Sequence, residues 1–125
     1  MTDTKIEQEI QAKGLTAPRV TQADVEHNIL TEHFFTADQG ARHAILDDVA
    51  GTTPHRQHCP LMLELNLLTL CVLVLRNGFT VTGESACASP ENFDAEIGRK
   101  IARANAVQKI WPLMGYELRS RLSTY

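Results

Sequence analysis

No stretch of this sequence is apolar for long enough to cross a membrane. The longest such run, Leu67 to Leu75, has nine residues, about half of the roughly 20 that a spanning helix needs, and reads as a buried strand. Cysteine is scarce. Cys59, Cys71 and Cys87 are odd in number and lack the spacing of a disulfide framework, and nothing at the N-terminus reads as a signal peptide, so a reducing cytoplasm is the expected setting. Also missing are a Walker phosphate loop, paired catalytic carboxylates and any triad motif, which makes an enzyme the least favoured class.

What is present is ordinary globular composition, with 43% hydrophobic and 22% charged residues in 125, enough for one domain with a core and too short for two. A single domain over residues 1–125 is expected. Its charge is unevenly placed. Residues 1–58 carry five Lys/Arg against nine Asp/Glu, net −4, whereas residues 97–125 carry six against one, net +5. The C-terminal quarter attracts anions, or the two regions simply keep the protein soluble.

Ile6 and Ile10 lie at i and i+4 in a charged segment stopped by Gly14, which predicts a helix over residues 4–13. Thr21-Gln22-Ala23-Asp24 resembles a capping box, and Val25, Ile29 and Phe34 or His33 follow at helical spacing, so a second helix is expected over about residues 22–35. Gly40, Asp47-Asp48, Gly51, Pro54 and Pro60 then punctuate the chain. This predicts a short helix and a mobile loop at about residues 47–60.

From about residue 63 the pattern is extended. Asn77-Gly78 between two such runs is a hairpin signal, with strands over about residues 63–76 and 79–87. A two-residue type I′ turn pairs Val74 with Val81, Val72 with Gly83 and Leu70 with Ser85, placing Val72, Val74, Phe79 and Val81 on one face. Cys71, Leu73 and Leu75 occupy the other, and both need cover. A lone hairpin is marginal in water, so further strands must come from the N-terminal half or from another copy.

After the turn at Ser89-Pro90, Asn92 or Asp94 caps a long helix over about residues 93–111, ended by Pro112. Its apolar stripe, Phe93, Ile97, Ile101, Ala104, Val107 or Gln108, and Trp111, is expected to be its buried face. A second stripe, Gly98, Ala102, Ala106 and Ile110, is small at its first three positions and permits close approach of another backbone, which predicts a dimer or larger symmetric oligomer. The expected class is α+β: a hairpin-centred antiparallel sheet packed on a long C-terminal helix, with N-terminal helices.

Candidate site residues follow from chemistry. A doubly phosphorylated nucleotide needs donors for its oxygens and a flat apolar partner for its base. Arg99 and Arg103, at i and i+4, suit phosphate, and so does the first turn of the helix beside Ser89 and Asn92. Equally, Glu96 stands where it can make surface ion pairs with Arg99 and Lys100. Phe79 suits either core or base stacking, and Asn92 either a cap or a ligand contact. His55, His58 and Cys59 have no matching pair at zinc-site spacing, so no metal or other cofactor is expected. Cys87 has no base placed beside it, which leaves a small buried thiol as the default.

The run Asn77-Gly78-Phe79, Gly83, Ser85-Ala86-Cys87, Asn92-Phe93-Asp94 and Ile97-Gly98, continued at Lys109-Ile110-Trp111-Pro112 and Gly115-Tyr116-Glu117-Leu118, resembles a small phage-protein family. That family is named for gene 49 of one tailed phage and gene 66 of another. The pattern over residues 67–118 is also similar to the Thoeris anti-defence sponges, phage proteins that bind the cyclic ADP-ribose isomers made by bacterial TIR enzymes and take up cyclic oligonucleotides at a separate site. The resemblance implies a cytoplasmic, non-enzymatic protein that sequesters a cyclic nucleotide. Phe79 and Asn92 would then lie near the base or ribose, and Arg99 and Arg103 on the phosphates. A module that binds a host protein is the alternative, and a nucleic-acid binder ranks third. On either reading, alanine at both arginines is expected to leave the fold intact, because both lie off the expected buried stripe.

Overall fold

The computed structural model describes residues 3–15, 17–51 and 63–123. His55, His58 and Cys59, and most of the loop expected at residues 47–60, lie outside the described residues. Helix α1 (Asp3–Ala12) ends where Gly14 adopts a φ of +68°, a left-handed conformation that suits glycine. Helix α2 (Gln22–His27) opens on the expected capping box: the Thr21 hydroxyl accepts from the Asp24 amide at 3.1 Å, and the Asp24 carboxylate accepts from the Thr21 amide at 3.0 Å.

The expected second helix stops early. Asn28 ends α2, and its carbonyl accepts from the Arg76 amide at 2.9 Å. Residues Ile29–Thr36 then form strand β1, which pairs antiparallel with β2 (Leu68–Leu75), itself paired antiparallel with β3 (Thr80–Ala86). The strand order is β1-β2-β3. The third strand therefore comes from the N-terminal half, where β-branched and aromatic residues alternate between faces. Helix α3 (Ala37–Gly51) follows β1 directly. Its start is fixed by Thr36 and Gln39, whose side chains each accept from the other's backbone amide at 3.2 and 2.9 Å. A single turn, α4 (Leu63–Asn66), leads into β2.

The hairpin register differs by one residue from the expected one. Leu73 faces Val81, Cys71 faces Gly83 and Leu70 faces Glu84, because Arg76, Asn77 and Gly78 form a three-residue loop. The Leu75 amide donates to the Phe79 carbonyl at 2.8 Å and the Gly78 amide to the Leu75 carbonyl at 2.9 Å. Gly78 alone has positive φ, +91°, whereas a type I′ turn would need it at Asn77 as well. The slip exchanges the faces. Cys71, Leu73, Leu75 and Val81 form one buried face. Leu70, Val72 and Val74 share the half-buried other face with exposed Thr80 and Thr82.

Helix α5 (Ala95–Leu122) covers the buried face and runs through Pro112 instead of ending there. Proline removes one helical hydrogen bond, but Trp111 and Met114 on either side still pack against the core, and that packing carries the helix onward. The buried stripe also differs from the expected one in the first turns, although Val107 and Trp111 of the expected stripe do pack against the core. Gly98, Ala102, Ala106 and Ile110 face the sheet, while Ile97 and Ile101 are 55% and 46% exposed. Gly83 explains the exchange. A Cβ placed on it would collide with the backbone of Ala102 and Ala106, so helix and strand meet backbone to backbone and only small residues fit between them. The small stripe is thus used within the chain. Among the described residues no helix is long and apolar enough to cross a membrane.

Candidate functional site

Arg99 lies on the first turns of α5, whose start is fixed by Asp94: its carboxylate accepts from the Ile97 amide at 3.0 Å. The cap is therefore Asp94 and not Asn92. Asn92 closes a short 3-10 turn, Pro90–Asn92, and is exposed. Arg99 opens onto a cleft of about 220 Å³ whose walls come from β1, the start of α3, β2 and the entry to α5, with Phe34, Phe35, Gln39, Thr69 and Phe93 around it. Thr36 completes the rim. Gly40 lies under the Phe35 ring, where a Cβ would be 3.4 Å away.

Among the described residues Arg99 makes no ion pair and no hydrogen bond. Of the two pairs expected for Glu96, only that with Lys100 forms, at 3.4 Å. An unpaired guanidinium beside three aromatic rings and several polar side chains offers donors for an oxyanion and flat surfaces for a planar group.

Arg103 is placed differently. Its Nε donates to Glu32 at 2.8 Å and both terminal nitrogens donate to Glu26 at 3.1 Å. Bonds first from Glu26 and then from Glu32 hold its guanidinium in the charged form even more firmly than usual. Arg103 thus clasps α2 and β1 to α5, and a phosphate there would compete with two carboxylates. The same bonds tie three elements together, so removing Arg103 is expected to cost more stability than removing Arg99.

Phe79 is 56% exposed at the hairpin tip, where it lines a second cleft with Leu75, Leu113 and Met114. Fourteen helical residues separate Arg99 from Leu113, about 21 Å along α5 at 1.5 Å per residue. Within one chain the structure groups Asn92 and Arg99 at one end of the helix and leaves Phe79 at the other. Cys87, half-buried, donates through Sγ to the Ser89 carbonyl at 3.1 Å, and burial pushes the Cys71 thiol up. Among the described residues no three His, Cys, Asp or Glu side chains are grouped as metal ligands.

Phe34, Phe35 and Gln39 were not legible as site residues, because they converge only once residues 29–36 are a strand. One signal was available. Thr36 and Gln39 have capping-box spacing, which marks a helix start just after the two phenylalanines.

The family model of the phage protein (N4 Gp49/phage Sf6 gene 66) family matches residues 20–122. The chain belongs to this family. The matched residues span every strand among the described residues, α5 and the residues of the Arg99 cleft and the Arg103 clasp, while α1 precedes them. No curated protein and no solved structure matches the chain significantly.

Proposed function

We propose that this phage protein binds and sequesters a cyclic nucleotide immune signal, of the cyclic ADP-ribose isomer or cyclic oligonucleotide class, without cleaving it. The observation that carries the reading is the unpaired Arg99 guanidinium in a cleft walled by Phe34, Phe35 and Phe93. It joins a phosphate donor to surfaces on which a base stacks. The cleft's 220 Å³ falls short of the roughly 300 Å³ or more usual for small-molecule pockets, and Phe79 stands far from it. A second copy supplying its hairpin tip would both enlarge the site and bring Phe79 to the ligand.

Calorimetry with cyclic ADP-ribose isomers and cyclic oligonucleotides tests this. Binding is expected, with ligand recovered unchanged by mass spectrometry, and Arg99→Ala is expected to weaken it on the order of tenfold to a hundredfold, the loss of one charge-assisted hydrogen bond. No heat with any of these ligands would overturn the reading. The second reading, a module that binds a host protein, draws on exposed Ile97, Ile101, Leu113 and Tyr116, the last 78% exposed. It predicts partner capture that survives removal of nucleotides.

A further inference from the structure

A cleft of about 340 Å³ lies toward the opposite end of α5 from Arg99, between α2, the hairpin loop and the last turns of the helix. Three guanidiniums from three separate segments line it: Arg19 before α2, Arg76 in the hairpin loop and Arg121 near the end of α5. Arg76 is anchored through Nε to the His27 carbonyl at 2.7 Å, and its two terminal nitrogens have no partner among the described residues. Arg121 spends Nε on Glu117 at 3.1 Å. Asp24 and Glu117 also line the cleft and offset part of this charge; the Asp24 carboxylate accepts from the Thr21 amide and still acts on Arg19.

Arg19 differs from both, because its fork is filled. Glu7 of α1 accepts from its two terminal nitrogens at 2.9 and 2.6 Å, the bidentate geometry in which a guanidinium also holds a phosphate. Arg19 borders both this cleft and the groove beneath α1. That helix rests on the domain over a shallow groove lined by Ile6, Ile10, Val20 and Trp111. No residue of α1 is buried, Ile6 is 41% exposed, and α1 precedes the residues matched by the family. Without Glu7 the cleft has three guanidiniums against the two carboxylates of Asp24 and Glu117, so a carboxylate on a lightly held arm, seated on Arg19, has the form of an internal competitor for an external oxyanion.

We propose that this cleft binds a small dianion carrying two phosphoryl or comparable oxyanion groups, held by Arg19, Arg76 and Arg121, and that α1 is displaced from Arg19 as the ligand enters. Three guanidiniums carried by three separate segments offer positions for more than one oxyanion group. The site is separate from the Arg99 cleft and does not depend on the function proposed there.

Inorganic pyrophosphate is the probe, titrated calorimetrically into the full chain. Glu7→Gln, which weakens the competitor and keeps its shape, is expected to tighten binding about tenfold, and Arg76→Ala and Arg121→Ala each to weaken it about tenfold, the smaller end of what one charge-assisted hydrogen bond contributes. Arg99→Ala is expected to bind as the parent does. Hydrogen exchange at the Asp3–Ala12 amides should accelerate when pyrophosphate is added. Absence of binding in both the parent and Glu7→Gln overturns the site. Loss of binding in Arg99→Ala places the anion in the other cleft and overturns it equally. Binding that leaves α1 exchange unchanged overturns displacement of the arm.

Discussion

Arg99 and Arg103 are one helical turn apart and carry the same charge, yet their neighbours give them different work. Arg103→Ala removes the cation between Glu26 and Glu32 and leaves two carboxylates facing each other. We expect it to cost about 1 kcal/mol of stability, the upper range for partly exposed pairs. Arg99→Ala should stay within about 0.5 kcal/mol of the parent, and thermal denaturation of the two single variants distinguishes them. Glycines divide in the same way. Gly83→Ala drives a methyl into the backbone of α5 and should cost about 3 kcal/mol, at the severe end of overpacking. Gly115→Ala meets nothing within 4 Å and should stabilise the helix by about 1 kcal/mol in chemical denaturation. Glu7 makes a pH prediction. Its bonds with Arg19, then Gln11, lower its carboxyl from the usual 4.5 to about 2. A depressed carboxyl stabilises fully above its unfolded value and progressively less as it protonates. Docking of α1 should therefore hold above about pH 4.5 and fade toward pH 2, visible as loss of amide protection in Asp3–Ala12.

At the scale of elements, the hairpin loop depends on one conformation. Gly78 at φ +91° occupies a region where a β-branched residue is strained by about 1 to 3 kcal/mol, so Gly78→Val should lower the melting temperature although a Cβ there meets nothing. The hairpin and the long helix were legible because Asn77-Gly78, Asp94 and the helical repeats after it are local signals. The register was not, since a two-residue and a three-residue loop both fit Asn-Gly and differ in whether the Arg76 or the Leu75 amide reaches the Phe79 carbonyl. Strand β1 was hidden for another reason: Val25, Ile29 and Phe34 fit a helical period as well as Thr31, His33 and Phe35 fit a strand. Pairing with β2 decides between them, and that lies more than 30 residues away. The site inherits this limit. Arg99 was readable from helical spacing, whereas Phe34 and Phe35 become its neighbours only through β1. Which stripe of α5 is buried turned on Gly83, whose meaning lies in what approaches it.

For the whole molecule, two apolar surfaces are only partly covered: the face of α5 bearing exposed Ile97 and Ile101, and the sheet face bearing half-buried Leu70, Val72 and Val74. Such surfaces favour association when they are contiguous. Light scattering at micromolar concentration should give a mass that is a multiple of 13.9 kDa, and a purely monomeric species would remove the two-copy site. The order of strands has its own consequence. β2 and β3 are neighbours in sequence, but β1 must wait for the chain between Thr36 and Leu68 to close, and closing long loops slows folding. β1 is also an edge strand, clasped to α5 through Glu32 and Arg103, which makes it the natural unit of partial opening. Phe34, Phe35 and Thr36 of the Arg99 cleft all belong to it. A ligand in that cleft would bind only the closed sheet, so its binding energy would be shared with the docking of β1, and occupancy of the site would itself hold the last strand in place.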